Sequence, residues 1–95
     1  MSDVLGQVFG ALADPSRRQV IGYLSDRGTA TATELTGELP MTRQAVAKHL
    51  ATLADAGLVE SERQGRETRY RLTRAGEEWD DRLDALRSHL ERRRP

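Results

Sequence analysis

No cysteine occurs among the 95 residues. Disulfide staples, thiolate metal sites and cysteine nucleophiles are therefore excluded. No apolar run approaches the roughly 20 residues needed to cross a bilayer, and the first residues lack the apolar core of a secretory signal. The expected location is the cytoplasm. Histidine is limited to His49 and His89, far apart in the chain. There is no phosphate-cradling glycine loop, nucleophile elbow, zinc-protease helix or EF-hand loop, so enzymatic chemistry has no candidate constellation. A net field is missing too: 15 basic side chains balance 15 acidic ones. Total charge therefore does not point to a polyanionic partner.

What is present is polar but ordered. Hydrophobic residues make up 37% and charged residues 32%. The apolar residues are periodic, which distinguishes the chain from a disordered one. The length suits one domain over residues 1–95, small enough that oligomerisation is a plausible source of added stability. The chain has 14 Arg, one Lys and no Asn. A genomic compositional bias accounts for that preference, so the placement of the arginines is informative and their number is not. Residues 42–74 carry seven cations, Arg43, Lys48, Arg63, Arg66, Arg69, Arg71 and Arg74, against four acids. The segments before and after are slightly acidic.

Val4, Leu5, Val8, Phe9 and Leu12 have helical spacing over residues 3–13. Asp14-Pro15 ends that helix and starts another, with Asp as N-cap and Pro at the first helical position. The second helix runs to about Asp26, with Val20, Ile21 and Leu24 inward and Gly28 as its stop. Thr31 with Glu34 reads as a capping box for a short helix carrying Leu35 and Leu39, closed by Pro40. Thr42 caps the next helix, which runs to about Ala56 with Val46, Leu50 and Leu53 on one face, and Gly57 ends it. Two helices around a tight turn, the second polar on its outer face, form a helix-turn-helix.

The period then changes. Leu58–Arg63 and Thr68–Thr73 are β-compatible runs around a Gly65 turn, with Thr68, Tyr70 and Leu72 on one face and Arg69, Arg71 and Thr73 on the other. This reads as a hairpin with a basic outer face. Thr73 caps a last helix with the stripe Trp79, Leu83, Leu86 and Leu90, and residues 92–95 are expected to fray. The fold class is thus mainly α with a small β-hairpin: a winged helix-turn-helix with an additional helix at each end, about 3–13 and 74–92.

Four strings in this order resemble the ArsR (arsenic-repressor-like) family of bacterial regulators. They are Phe9-Gly10-Ala11-Leu12-Ala13-Asp14-Pro15-Ser16-Arg17-Arg18, Gln44-Ala45-Val46-Ala47-Lys48-His49-Leu50, Ala56-Gly57-Leu58-Val59 and Tyr70-Arg71-Leu72. The tail from Trp79 to Leu86 is similar to the metal-independent branch, whose members often control their own operon. The resemblance implies a homodimer held by the first and last helices, a recognition helix at 42–56, a wing at 63–69, and repression relieved by an effector. Ala47 stands where many relatives carry a DNA-touching serine. Thr31-Ala32-Thr33 replaces the cysteine pair that some relatives use for metal.

The candidate DNA contacts are Thr42, Arg43, Gln44 and Lys48 on the recognition helix and Arg63, Arg66 and Arg69 on the wing. Gln and Arg can make paired hydrogen bonds to adenine and guanine in the major groove, while wing arginines suit phosphate or minor-groove contact. An ordinary solvated helix face and a charged, aggregation-resistant sheet edge would look alike in sequence. His49 fits a phosphate donor or a packed structural histidine equally well. His89 reads as a surface residue, and no metal site or cofactor is expected. Asp80, Asp81 and Asp84 read as a solvated acidic face, and Glu77 and Glu78 as first-turn acids favoured by the helix dipole. The dimer face is expected from Leu5, Val8, Phe9, Leu12, Trp79, Leu83, Leu86 and Leu90. The expected function is sequence-specific repression at an inverted-repeat operator in double-stranded DNA. The alternatives are a winged-helix protein–protein module and a metal-sensing repressor.

Overall fold

The computed structural model describes residues 3–93. Five helices and three strands follow in the order α1 (Val4–Ala13), α2 (Pro15–Arg27), β1 (Ala30–Thr31), α3 (Ala32–Glu38), α4 (Arg43–Asp55), β2 (Val59–Gln64), β3 (Glu67–Leu72) and α5 (Arg74–Arg92). Each predicted cap is in place. The side chains of Asp14, Thr31, Thr42 and Thr73 accept backbone N–H bonds at the starts of α2, α3, α4 and α5. The capping box is reciprocal: Glu34 N donates to Thr31 Oγ1 at 3.1 Å and Thr31 N donates to Glu34 Oε1 at 2.8 Å. Helix α5 runs through Arg92, the end expected for it from the sequence; Arg94 and Pro95 lie outside the described residues.

The end of α1 is closed by side chains from α2. A helix terminus leaves its last carbonyls without intrahelical partners. Arg17 Nε donates to the Ala11 carbonyl at 2.7 Å and a terminal nitrogen donates to that of Gly10 at 3.1 Å. Arg18 donates to the Leu12 carbonyl at 2.6 Å. The Asp14-Pro15 corner therefore folds two guanidiniums back over the helix that precedes it.

The core lies where α2, α3 and α4 meet the sheet. Val20, Ile21, Leu24, Leu35, Val46, Leu53 and Leu58 are fully buried. The strand order is β1-β3-β2, antiparallel throughout. The hairpin follows the expected alternation in part: Leu72 is buried, Thr68 and Tyr70 are half-buried and Arg71 is exposed, but Arg69 is half-buried as well. Strand β1 was not expected from the sequence; Ala30 pairs with Tyr70 and Thr31 with Arg69. Two residues are too few to show a period, so only the fold reveals this pairing.

Helix α5 is seated on backbone. The Leu58 carbonyl accepts the Thr73 N–H at 3.0 Å, and Thr73 Oγ1 donates to the Gly57 carbonyl at 2.6 Å. One turn on, a Cβ at Gly76 would overlap the Leu58 carbonyl oxygen. Glycine is required there by this close approach. Asp80, one further turn along, faces α2 and is only 9% exposed. This corrects the expectation of a solvated acidic face: Asp81 and Asp84 are exposed, but Asp80 is buried where α5 packs against α2.

Candidate nucleic-acid interface

Helix α4 projects its first turn outward. Thr42, Arg43, Gln44 and Lys48 are all exposed, while Val46, Leu50 and Leu53 anchor the opposite face. Thr42 Oγ1 is occupied as the cap, accepting the Ala45 N–H at 3.1 Å, which fixes the direction in which the helix starts. Its neighbours' backbone N–H groups point the same way and favour an anion. Facing this turn is the wing. Arg66, at the tip, and Arg43 line a cleft of about 500 Å³ together with Thr31, Glu34, Glu67 and Tyr70. Arg63 is exposed and its Nε donates to the Gly65 carbonyl at 3.1 Å, bracing the tip of the turn.

The outer face of the wing is not the basic surface that the sequence suggested. Arg71 Nε pairs with Glu60 and its terminal nitrogen with Glu62, both at 2.9 Å. The hydrogen bonds that Arg71 donates to those carboxylates, Glu60 first, hold its guanidinium above its ordinary pKa. Arg69 pairs with Glu34 at 3.1 Å and with Glu67 at 3.4 Å, and its Nε donates to Thr29 Oγ1 at 3.2 Å. The antiparallel register sets Glu60 opposite Arg71 and Glu62 opposite Arg69, so the acids of β2 fall on the cations of β3. Arg69 is thus placed among internal partners, away from the outward group formed by Arg43, Lys48, Arg63 and Arg66. Among the described residues none of those four is in an ion pair.

His49 is half-buried, and its Nδ1 is shielded from solvent with no hydrogen-bond partner among the described residues. That nitrogen faces the protein. His89 is exposed on α5. No described group of three or more His, Asp or Glu residues could hold a metal ion, and no described helix is long and apolar enough to cross a membrane.

A second surface is apolar. Val4, Leu5, Phe9, Leu86 and Leu90 are 52–62% exposed. The Phe9 and Trp79 rings meet edge to face at 5.5 Å, which joins α1 to α5. A shallow groove of about 590 Å³ beside it is lined by Arg18, Leu83, Leu86 and Leu90. Four of the residues expected here sit differently. Val8 and Leu12 are buried in the protomer's own core at 7% and 6% exposure, because α1 packs that side on α2. Trp79 and Leu83 are half-buried against the core.

Helices packed as a helix-turn-helix, followed by a β-hairpin wing, define a winged helix-turn-helix DNA-binding protein. A helix-turn-helix domain family matches residues 12–62, over half of the chain. The HTH-type transcriptional regulator YuzN of Bacillus subtilis is 48% identical over 65 residues, covering 62% of this chain and 71% of that one. The arsenical resistance operon repressor of Escherichia coli is 33% identical over 67 residues, covering 70% of this chain and 57% of that one. Among solved structures, an ArsR-like transcriptional regulator from Rhodococcus sp. RHA1 is 41% identical with a TM-score of 0.70, covering 90% and 91% of the two chains. A homodimeric winged helix-turn-helix DNA-binding domain from Mycobacterium bovis is 30% identical with a TM-score of 0.75, covering 94% and 79%. The chain belongs to the ArsR-type family of winged helix-turn-helix transcriptional regulators.

Proposed function

We propose that this regulator is a homodimeric repressor acting in the cytoplasm on an inverted-repeat operator, its own operon among its targets. Two α4 helices enter successive major grooves about 34–36 Å apart. The observation that carries this reading is the exposed group Arg43, Gln44, Lys48 and Arg66: Arg43 and Arg66 line one cleft, and among the described residues none of the three cations is in an ion pair. Gln44 reads a base edge, Arg43 and Lys48 contact base or phosphate, and Arg66 with Arg63 holds the flanking backbone. The helices at 3–13 and 74–92 dimerise the protein by pairing the Leu5, Phe9, Leu86 and Leu90 face with its copy, a self-complementary contact about a two-fold axis. Covering that face removes an apolar patch that a small monomer seldom leaves wet.

Selection of bound fragments from a random DNA pool tests the reading. An inverted repeat should be enriched, with affinity falling steeply as salt rises. Gln44→Ala should relax preference at one operator position at a cost of about 1–3 kcal/mol. Arg66→Ala should weaken all sequences alike and lower the salt slope by about one. No enrichment, together with salt-insensitive binding, would refute the proposal.

A further inference from the structure

The internal pairing of Arg69 lies where the sheet thins from three strands to two. Strand β1 pairs only with Arg69 and Tyr70; beyond them, toward the tip, the wing is a bare two-stranded ribbon. Such a ribbon has little stability of its own. At this junction Arg69 is gripped from three sides. Glu34 Oε1 accepts from both terminal nitrogens at 3.1 and 3.2 Å, Thr29 Oγ1 accepts from Nε at 3.2 Å, and Glu67 Oε2 accepts at 3.4 Å. The same Glu34 oxygen accepts the Thr31 N–H, which, ahead of the Arg69 charge, holds this carboxyl below the ordinary glutamate range. Glu34 lies in the first turn of α3, and α3 packs on α4. A continuous path therefore runs from the base of the wing through one carboxylate to the recognition helix. The two cations that frame the cleft, Arg43 and Arg66, stand at its two ends.

We propose that Glu34 is a positioning residue for DNA recognition: by clasping Arg69 it fixes the wing relative to α4, and so sets the spacing between Arg66 and Arg43. This rests on the reading that wing and α4 touch the same duplex. Most of the Arg69 donors are already satisfied, so Arg69 acts as the bolt of the joint and Glu34 as its seat.

The test uses Glu34→Gln, because glutamine at this position keeps the reciprocal cap of α3 while removing the charge that holds Arg69. Arg69→Gln is the second variant and leaves the cap untouched. Operator affinity is titrated against salt for both, for the double variant and for Arg66→Ala, well below each melting temperature. The expected result is an affinity loss of about five-fold for each single variant, no further loss in the double, and an unchanged salt slope; Arg66→Ala loses affinity and about one unit of slope. Wild-type affinity in both clasp variants beside a weakened Arg66→Ala would overturn the positioning role alone. Tighter binding by Glu34→Gln with a slope steeper by about one would also overturn it, since Glu34 would then be withholding a phosphate ligand. Losses that add in the double variant and track the melting temperatures would reduce the clasp to a stabilising contact. An inert Arg66→Ala would bring down the docking reading and this proposal together.

Discussion

Replacing a helical glycine by alanine should have opposite effects at Gly22 and Gly76. In a helix interior alanine is favoured over glycine by about 1 kcal/mol. At Gly22, within α2, an added methyl meets nothing within 4 Å, so that gain should be realised. At Gly76 the methyl would overlap the Leu58 carbonyl oxygen, lie 3.1 Å from its carbon and come within 3.3 Å of the Leu72 Cβ. The obstructing atom is backbone and already accepts the Thr73 N–H, so it cannot swing aside. Overpacking of this kind costs roughly 1–3 kcal/mol, and a rigid neighbour puts Gly76 near the top of that range. After the helix-propensity gain the net loss is about 2 kcal/mol. With about 4–8 °C per kcal/mol for a domain of this size, Gly76→Ala should melt roughly 10 °C lower and Gly22→Ala roughly 5 °C higher than wild type. Thermal and urea unfolding followed by circular dichroism would measure both, at one fixed protein concentration because dimerisation shifts the midpoint by mass action. A Gly76→Ala protein as stable as wild type would refute the seating of α5. A Gly22→Ala protein destabilised as much as Gly76→Ala would show that free space is not what separates the two sites.

Asp14 offers a pH test. Its bond from the Ser16 N–H, then Arg17, lowers the native pKa, so the unfolded chain binds more protons as the medium acidifies. The stability it lends is full at neutral pH and is lost as pH falls from the ordinary aspartate range through the lowered native value. Asn is as good a cap without the charge, so Asp14→Asn should match wild type at neutral pH and show a shallower acid loss of the urea midpoint; identical acid profiles would contradict this. Leu86→Asp should sediment as a folded monomer and lose most operator affinity, because Leu86 is 55% exposed in the protomer and contributes little to its core. A dimeric Leu86→Asp protein that binds DNA normally would remove α5 from the interface. Zinc, cadmium and nickel should show no tight stoichiometric binding by calorimetry; one tight site per subunit, lost in His89→Ala, would reverse that expectation.

Local chemistry was legible in the sequence and partnership across the fold was not. Asp14, Thr31, Thr42 and Thr73 announce their helices because a cap is satisfied within three residues of itself. Val20, Ile21 and Leu24, or Val46, Leu50 and Leu53, announce a buried face because the helical period is short. In sequence Arg69 and Arg71 present an open basic face, since their partners lie 35 residues away at Glu34 in α3 and 11 away at Glu60 across the hairpin. The stripe on α1 could not reveal that Val8 and Leu12 turn into the protomer while Leu5 and Phe9 turn out. Periodicity finds the apolar side of a helix and does not say how two neighbours divide it. Gly76 and the buried Asp80 escape for the same reason: the glycine is set by the carbonyl of Leu58, eighteen positions before it, and Asp80 by the packing of α5 on α2.

That carbonyl also makes the protein a ruler. Because α5 bears directly on the backbone at the root of the wing, a backbone contact ties the proposed interface between subunits to the proposed DNA-binding surface. Such a dimer holds its two reading heads at one distance and one rotational phase. A single base pair inserted between the half-sites turns one of them by about 34–36° and shifts it by about 3.4 Å. The length of the spacer would then be read as strictly as the bases on either side of it.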